Sequence, residues 1–141
     1  MKDNNKKKKV ALIGCGLIGQ SWAVSFLSAG FSVSLFDPTE GVTETAKEKI
    51  TAKLSDLQNH GLISKRKIAD YLSQIYLAPS ISKAVEDCVY VQESGPENLD
   101  IKRNLLKILI KQHQKTYLSL VRPLVFLHHY TLTKWKEIIG A

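Results

Sequence analysis

Cysteine is scarce in this sequence: Cys15 and Cys88 are the only two among 141 residues. Two thiols cannot build a disulfide framework, and both lie in apolar surroundings, so we expect buried free thiols and a reducing compartment, the cytoplasm. Long apolar runs are also missing, because no window reaches the ~20 residues of a membrane span. The lysine run at residues 6–9 precedes apolar residues as in a signal peptide, but glycines soon interrupt them. The sequence therefore predicts no membrane association.

Basic charge is lacking in the middle of the chain. The formal charge of +7 comes from the two ends, because residues 1–9 hold five lysines and one aspartate, and residues 102–141 hold eight basic residues and one glutamate. Residues 10–101 carry eleven acidic and seven basic side chains. A nucleic-acid-binding face would spread Lys and Arg along one element with aromatic residues between them, so no nucleic-acid partner is expected. Residues 1–9 are predicted to form a basic disordered tail, with a nuclear address as the alternative.

Strand and helix signals alternate along the rest of the chain. Residues 10–13 form a short apolar run that ends at glycines, which is typical of a buried parallel strand. Apolar residues then recur at helical spacing from residue 17 until Gly30, a stop signal. The predicted buried face of this helix consists of Ile18, Trp22, Ala23, Phe26, Leu27 and Ala29. Residues 31–36 read as a second strand, so this region is predicted to be a βαβ unit.

The following residues extend the same pattern. Residues 39–60 are predicted to be a helix with Thr39 as a possible N-cap, and residues 64–73 a second helix, which together would form a helical hairpin. Further strands are predicted at residues 75–77, 89–91 and 116–119, with a short helical turn at 82–87 and a longer helix from Pro96. The fold class is therefore α/β, a Rossmann-type doubly wound parallel sheet with a helical hairpin inserted after strand 2.

A glycine-rich sequence joins the first strand to the first helix. It reads Gly14, Cys15, Gly16, Leu17, Ile18 and Gly19, which is a G-x-G-x-x-G pattern in the strand–helix context that the pattern requires. Gly14 permits a tight turn, Gly16 lets a pyrophosphate approach the backbone, and Gly19 lets the helix pack closely on the sheet. The helix N-terminus offers N–H groups to the anion. The alternative is an ordinary tight turn without a ligand.

Asp37 stands 18 residues beyond Gly19, at the end of the second predicted strand. A carboxylate in this position accepts hydrogen bonds from the adenosine ribose and repels a 2′-phosphate, so the predicted cofactor is NAD rather than NADP. The alternative is an acidic turn residue before Pro38. Because the three features are in register, dinucleotide binding is the favoured interpretation.

Residues 10–37, VALIGCGLIGQSWAVSFLSAGFSVSLFD, resemble the NAD-binding domain of the 3-hydroxyacyl-CoA dehydrogenase family. GLIGQSWA and VQESGPENLDIKR resemble most the branch that contains lambda-crystallin and L-gulonate 3-dehydrogenase. The resemblance extends to about residue 118 and implies that Glu97 and Lys102 contact the cofactor; the alternatives are a first-turn helix acid and a solvated lysine. Family members that use acyl-CoA carry a Ser and a Lys on the hairpin, where this chain has Lys53 and His60 nearby. A small polar substrate such as a sugar acid is therefore favoured over coenzyme A esters.

The same resemblance implies catalytic parts that this sequence does not show. The family supplies a Ser-rich segment after strand five, a His in an H-x-x-N-P segment with a Glu beyond it, and an all-helical C-terminal domain that completes the substrate pocket and the dimer. Hydride transfer from an alcohol needs such a general base. His128 and His129 are the only late histidines and no Asn-Pro follows them, so we predict neither a catalytic residue nor a metal ligand here. His60 and His113 are expected to be exposed helix residues.

The function predicted from these observations is the NAD-binding domain of a 3-hydroxyacyl-CoA dehydrogenase-like oxidoreductase of fatty acid metabolism, present as an incomplete chain without the C-terminal helical domain. A small hydroxy-acid substrate is expected only for a full-length form, and a family-type homodimer is not expected without that domain. The alternative is a non-catalytic nucleotide-binding or subunit-interaction protein, and a third possibility is a product that does not fold stably.

The sequence changes character after Ser119. Residues 10–119 form the predicted Rossmann domain, whereas residues 120–141 are predicted to be an aberrant tail. The codons of residues 120–126, read one base out of frame, permit a Ser-Thr-Ser-Gly-Phe segment like the one the family carries there. We therefore predict a frameshift, altered splicing or a gene-model error at this point. The alternative is a genuine divergent terminus that forms a last strand and helix, since residues 124–127 are apolar.

Overall fold

The computed structural model describes residues 7–95, 98–111, 117–120 and 128–131. The strands are β1 (Lys9–Ile13), β2 (Ser32–Phe36), β3 (Ile75–Leu77), β4 (Cys88–Glu93), β5 (Tyr117–Leu120) and β6 (His128–Thr131). The helices are α1 (Leu17–Ser28), α2 (Val42–Asn59), α3 (Ile68–Leu72), α4 (Ile81–Val85) and α5 (Leu99–Lys111). Each strand predicted from the sequence overlaps one of the first five.

The strands form one sheet in the order β3-β2-β1-β4-β5-β6. The first five are parallel, and β6 pairs antiparallel with β5. From β1 the chain adds β2 and then β3 on one side of the sheet. It then crosses to the other side of β1, where it adds β4, β5 and β6. This reversal between β1 and β4 confirms the predicted doubly wound sheet, and it places a crevice at the carboxyl ends of those two strands. The favoured prediction had no strand after β5, whereas the alternative of a genuine terminus included a last strand; β6 lies just after residues 124–127, on which that alternative rested.

Strand β1 lies between two hydrophobic cores. Val10 and Leu12 face the core that includes residues of α1, α2 and α3, whereas Ala11 and Ile13 face the core formed by α4, α5 and β4. All four are at most 2% exposed. Because successive side chains of a strand point to opposite faces, a strand covered on both sides must be apolar throughout. This is why the run at residues 10–13 could be predicted as a buried strand.

Gly30 ends α1, as its sequence predicted. It has a φ of +91°, its N–H donates to the carbonyl of Leu27 at 3.1 Å, and the N–H of Phe31 donates to the carbonyl of Phe26 at 3.0 Å. The rings of Phe26 and Phe31 contact each other with centroids 5.6 Å apart. These are the two hydrogen bonds and the hydrophobic contact of a Schellman motif, which turns the chain directly into β2.

The predicted buried face of α1 is partly wrong. Ile18 is 51% exposed and Ala29 is also exposed, whereas the buried residues are Gly19, Gln20, Ala23, Val24 and Leu27. The rotation of the helix is set by Gly19, which packs against the backbone of Gly14, rather than by the most apolar stripe. In the first turn only the side chains of Leu17 and Ile18 are exposed, at 74% and 51%, whereas Gly19 and Gln20 are buried.

The helical hairpin after β2 is confirmed, with two changes. Helix α2 begins at Val42, and its N-cap is Gly41 rather than Thr39, because the N–H of Thr39 donates to Asp37 in the preceding turn. The side chains of Ala46, Ile50 and Leu54, which follow one another at helical spacing, are buried.

The second arm of the hairpin is shorter than predicted, since α3 covers Ile68–Leu72 and not residues 64–73. The side-chain amide of Gln58 donates to the carbonyls of Ser64 and Arg66, at 3.1 and 2.6 Å. These two carbonyls are thereby held by α2, and residues 64–67 are not helical.

Several predictions fall outside the described part of the chain. These are Pro96, Glu97, His113, residues 1–6 of the predicted tail, and residues 121–127 and 132–141 of the predicted out-of-frame segment. Within that segment the structure describes β6, which pairs His128 with Leu120 and His129 with Ser119. The frame hypothesis stays a prediction. None of the helices in the described ranges is both long and apolar enough to cross a membrane.

Candidate cofactor-binding site

The glycine-rich loop follows β1 at the point where the sheet order reverses. The N–H of Gly14 donates to the carbonyl of Phe36 on β2 at 2.8 Å, and the N–H of Ser94, after β4, donates to the carbonyl of Ile13 at 2.8 Å. Gly14 has a φ of +92°, and a Cβ at this position would lie 2.5 Å from the amide nitrogen of Gly95. Only glycine fits a turn with this dihedral and this close neighbour.

The other two glycines of the loop have opposite surroundings. A Cβ on Gly19 would overlap the carbonyl oxygen of Gly14, so this glycine lets α1 lie directly against the loop. A Cβ on Gly16 would meet no atom within 4 Å among the described residues. Gly16 is therefore not needed for packing, and it borders open space beside the start of α1.

That open space adjoins the N-terminus of α1. Gly16 is the N-cap residue and no side chain caps the helix there in the described structure. The first intrahelical bond runs from the N–H of Gln20 to the carbonyl of Gly16, at 2.9 Å. The backbone N–H groups of the first turn, including those of Leu17 and Ile18, have no intrahelical acceptors, and the helix dipole adds positive potential. The side chains of Leu17 and Ile18 are exposed, so both residues would bind an anion through their backbone N–H groups.

Asp37 connects two loops through its half-buried carboxylate. Its Oδ2 accepts from the N–H of Cys15 at 3.0 Å, and its Oδ1 accepts from the N–H of Thr39 at 2.9 Å. Ionised carboxylate oxygens accept more than one hydrogen bond each, so both retain capacity for ribose hydroxyls. The alternative interpretation of Asp37 as a turn acid therefore describes part of its role, and the contact with Cys15 was not foreseen.

The Cys15 side chain serves packing rather than chemistry. It is 2% exposed, and its Sγ lies 3.5 Å from the carbonyl oxygen of Phe36. Burial, with the negative charge of Asp37 adding to it, raises the pKa of this thiol to about 12. Burial likewise raises the pKa of Cys88 to about 12. Both are free buried thiols, as expected, and neither supplies a thiolate nucleophile near neutral pH.

Gln20 supports the loop and was missed in the sequence. Its side chain is 7% exposed, and its amide donates to the carbonyl of Cys15 at 3.1 Å. The hydrogen bond fixes the loop from the helix side, while Asp37 holds it from the β2 side. A polar residue immediately after the motif glycines, in the buried phase of the helix, is the signal that could have indicated it.

Two clefts meet at the loop. The inner cleft, of about 480 Å³, is lined among others by Gly14, Gly16, Asp37, Glu93, Asn98 and Ile101. The hairpin cleft, of about 760 Å³, lies between the start of α1 and α2, with Lys49 and Lys53 in its wall. Volumes of this size are typical of small-molecule and cofactor sites. His60, in contrast, is exposed at the end of α2, where its Nδ1 lies 2.8 Å from the carbonyl oxygen of Asp56.

Lys102 is not the solvated lysine of the alternative interpretation. It is 7% exposed, and its Nζ lies 3.9 Å from Oε2 of Glu93, which is 1% exposed. The two residues join the end of β4 to the second turn of α5. Glu97, the other residue implied by the resemblance, lies outside the described residues, so its contact with a cofactor stays a prediction. None of the described side chains form a cluster that could hold a metal ion.

A glycine loop at the reversal of a parallel sheet, an open helix N-terminus and an acid after the second strand define a dinucleotide-binding domain of the Rossmann type. Residues 9–119 match the family model described as 3-hydroxyacyl-CoA dehydrogenase, NAD binding domain. The chain therefore belongs to the 3-hydroxyacyl-CoA dehydrogenase family and contains its NAD-binding domain.

Known proteins agree with this assignment. Lambda-crystallin of Oryctolagus cuniculus is 39% identical over 97 residues, which are 68% of this chain and 30% of that protein. L-carnitine dehydrogenase of Streptomyces griseus is 37% identical over 101 residues, covering 70% of this chain and 28% of that protein. The structure of 3-hydroxybutyryl-CoA dehydrogenase from Escherichia coli shares the fold, with a TM-score of 0.72 at 24% identity, over 84% of this chain and 25% of that one. The chain thus spans about a third of the length of these curated relatives.

Proposed function

We propose that this protein serves as the cofactor-binding part of an NAD-dependent oxidoreductase that oxidises the 3-hydroxyl group of a small hydroxy acid. The observation that carries the proposal is the open space over Gly16, beside the uncapped N-terminus of α1. The packing of the fold requires glycine at positions 14 and 19. It does not require glycine at position 16. A pyrophosphate that must approach the backbone is the group that requires it.

The residues present fit the two chemically distinct parts of the cofactor. Backbone N–H groups at the start of α1 suit the pyrophosphate, and the carboxylate of Asp37 suits the ribose hydroxyls. When bound, NAD supplies the hydride acceptor for a secondary alcohol. The chain's own task is to bind and orient it: Asp37 and Gln20 hold the loop, and the packing of Gly14 on Gly95 fixes the loop against the end of β4.

The proposed substrate is a small hydroxy acid rather than a coenzyme A ester. Lys53 and His60 stand near the places where the resemblance would put a Ser and a Lys for coenzyme A. Lys53 lines the hairpin cleft, whereas His60 is not among the lining residues of either cleft. L-carnitine dehydrogenase, a relative, is named for a small polar substrate. We further propose that turnover and any family-type dimer require residues beyond those of this domain, and that the protein is cytoplasmic, which its two free thiols support.

One observation favours the second candidate, a non-catalytic nucleotide-binding protein. Among the side chains that the structure describes, no histidine lines either cleft, and both thiols have a pKa raised to about 12. A general base must reach the proton that it removes. The described linings of the two clefts therefore offer neither a histidine nor a thiolate as a base for alcohol oxidation.

Isothermal titration calorimetry of the purified chain with NAD, NADH and NADP tests the proposal. We expect binding of NAD and NADH, weaker binding of NADP, and loss of binding in Gly16→Val. A folded chain that binds none of the three would refute the cofactor-binding role. We expect no turnover of L-gulonate, L-carnitine or 3-hydroxybutyrate by the same preparation, because catalysis is proposed to require residues beyond this domain. NADH production by this chain would refute the non-catalytic candidate.

A further inference from the structure

Glu93 is a buried acid in the wall of the inner cleft. It is the last residue of β4 and is 1% exposed, although it lines the cleft together with Ser94 and Gly95. Burying a carboxylate is costly unless nearby donors and a cation compensate for lost water.

Two neighbours of the Glu93 carboxylate differ in kind. Its Oε1 accepts a hydrogen bond from the N–H of Gly95 at 2.9 Å, and its Oε2 lies 3.9 Å from the ammonium of Lys102. The second separation exceeds the length of a direct charge-assisted hydrogen bond, so it represents Coulombic attraction. Lys102 stands near the N-terminus of α5, where the helix dipole disfavours a cation, and Glu93 supplies the opposing charge.

The amide that Glu93 holds is also the one on which the glycine loop rests. A Cβ on Gly14 would lie 2.5 Å from the nitrogen of Gly95, so the two backbones touch with no side chain between them. Displacing Gly95 therefore displaces the support of Gly14, and with it the loop that carries Gly16. The N–H of Ser94, which donates to Ile13, holds the same turn from its other side.

We propose that Glu93 is a positioning residue for the dinucleotide: its Oε1 fixes the Gly95 amide under the glycine loop, and Lys102 neutralises its charge in the wall of a cleft that receives a polyanion. The proposal rests on the NAD-binding role given above. A pyrophosphate near an uncompensated buried carboxylate would be repelled, which explains why the acid is paired with a buried lysine. The acceptor atom, rather than the charge, is what the loop requires.

A matched pair of double variants separates this role from that of an ordinary structural ion pair. Both Glu93→Gln with Lys102→Met and Glu93→Leu with Lys102→Met remove the two charges, and only the first keeps an acceptor for the Gly95 amide. Because both variants carry Lys102→Met, any contact of Lys102 with the cofactor is lost equally from both. We expect the Leu variant to bind NADH about tenfold more weakly than the Gln variant, the scale of one lost hydrogen bond. Calorimetry gives the affinities, and thermal unfolding shows that both variants are folded.

Each outcome decides the matter. Equal affinities for the two folded double variants overturn the proposal, whether both are native-like, as for a purely structural pair, or both are weak, as for a Lys102 that itself binds the cofactor. If the Leu variant does not fold, the Gln variant decides: retained hydrogen-exchange protection at the Gly95 amide supports the proposal, and loss of that protection overturns it. If the native chain does not bind NADH, both the proposed function and this inference are refuted. If the native chain binds NADH and the two double variants have equal affinities, only this inference is refuted.

Discussion

Replacing Asp37 by alanine should weaken both the unbound loop and the bound cofactor. In the unbound protein the carboxylate accepts from the N–H of Cys15 at 3.0 Å and from the N–H of Thr39 at 2.9 Å. Alanine leaves both donors without this acceptor. Because the Cys15 amide is partly buried and Thr39 is exposed, water can replace the second bond more readily than the first. We expect a loss of about 1–2 kcal/mol in the free energy of unfolding.

The loss of cofactor affinity should be of similar size. A charged acceptor for ribose hydroxyls is worth about 1–3 kcal/mol, or roughly 5- to 150-fold in the dissociation constant of NAD. NADP should gain relative to NAD, since the repulsion between Asp37 and a 2′-phosphate disappears. Asp37→Asn should lie between the native chain and Asp37→Ala in both properties, because its amide oxygen keeps one acceptor.

Calorimetry with NAD and NADP, at fixed ionic strength, measures the affinities, and thermal unfolding without ligand measures the stability. Asp56→Ala is the matched control, because it removes one acidic charge from an exposed position on α2. Equal affinity of the native chain for NAD and NADP would refute the assignment of Asp37 to the ribose. An Asp37→Ala variant with unchanged stability would contradict the role of Asp37 in holding the loop.

Three other predictions follow from the structure and one from the sequence. Gly16→Val should leave the chain folded and abolish NADH binding, whereas Gly19→Ala should lower the unfolding temperature because its Cβ would overlap the Gly14 carbonyl. Cys15 and Cys88, with pKa values raised from 9.0 to about 12, should react with iodoacetamide slowly at pH 8 and rapidly in denaturant, and the stability that their protonated forms provide should be present below pH 9 and lost as the pH rises toward 12. The purified chain should produce no NADH from L-gulonate above background; measurable turnover would contradict the prediction that its sequence has no counterpart of the family's catalytic His and Glu. Sequencing the genomic locus and the transcript should recover a Ser-Thr-Ser segment in the alternative frame near residue 120, and a stop codon there would refute the frame hypothesis.

Some elements could be predicted because their determinants are local. The run at residues 10–13 had to be a buried strand, and Gly30 had to end a helix, since neither conclusion depends on distant partners. The rotation of α1 could not be predicted from its apolar stripe, because it depends on Gly19 approaching the carbonyl of Gly14. The N-cap of α2 was missed for a similar reason: Asp37 holds the amide of Thr39 in the preceding turn.

The residues of the candidate site could likewise be predicted from the sequence only in part. The glycine spacing and Asp37 could be recognised in the sequence because β1, the glycine loop, α1, β2 and Asp37 follow one another directly along the chain. Glu93 and Lys102 could not be paired in advance, since a lysine in the first turns of a helix is usually solvated, and only the packing of α5 on β4 buries it. Gln20 was missed because a hydrophobic pattern gives no weight to a polar residue that binds a backbone carbonyl.

The three glycines of the loop are needed for different reasons. Gly14 and Gly19 are demanded by the packing of the fold itself, so a descendant that had abandoned the cofactor would still have to keep both. Gly16 has an ordinary extended conformation, with φ of −69° and open space around it, so almost any residue could replace it without disturbing the chain. A glycine also costs stability through the freedom it gives the unfolded chain. Position 16 is therefore where decay of the binding function would first become visible, and there this sequence still has glycine.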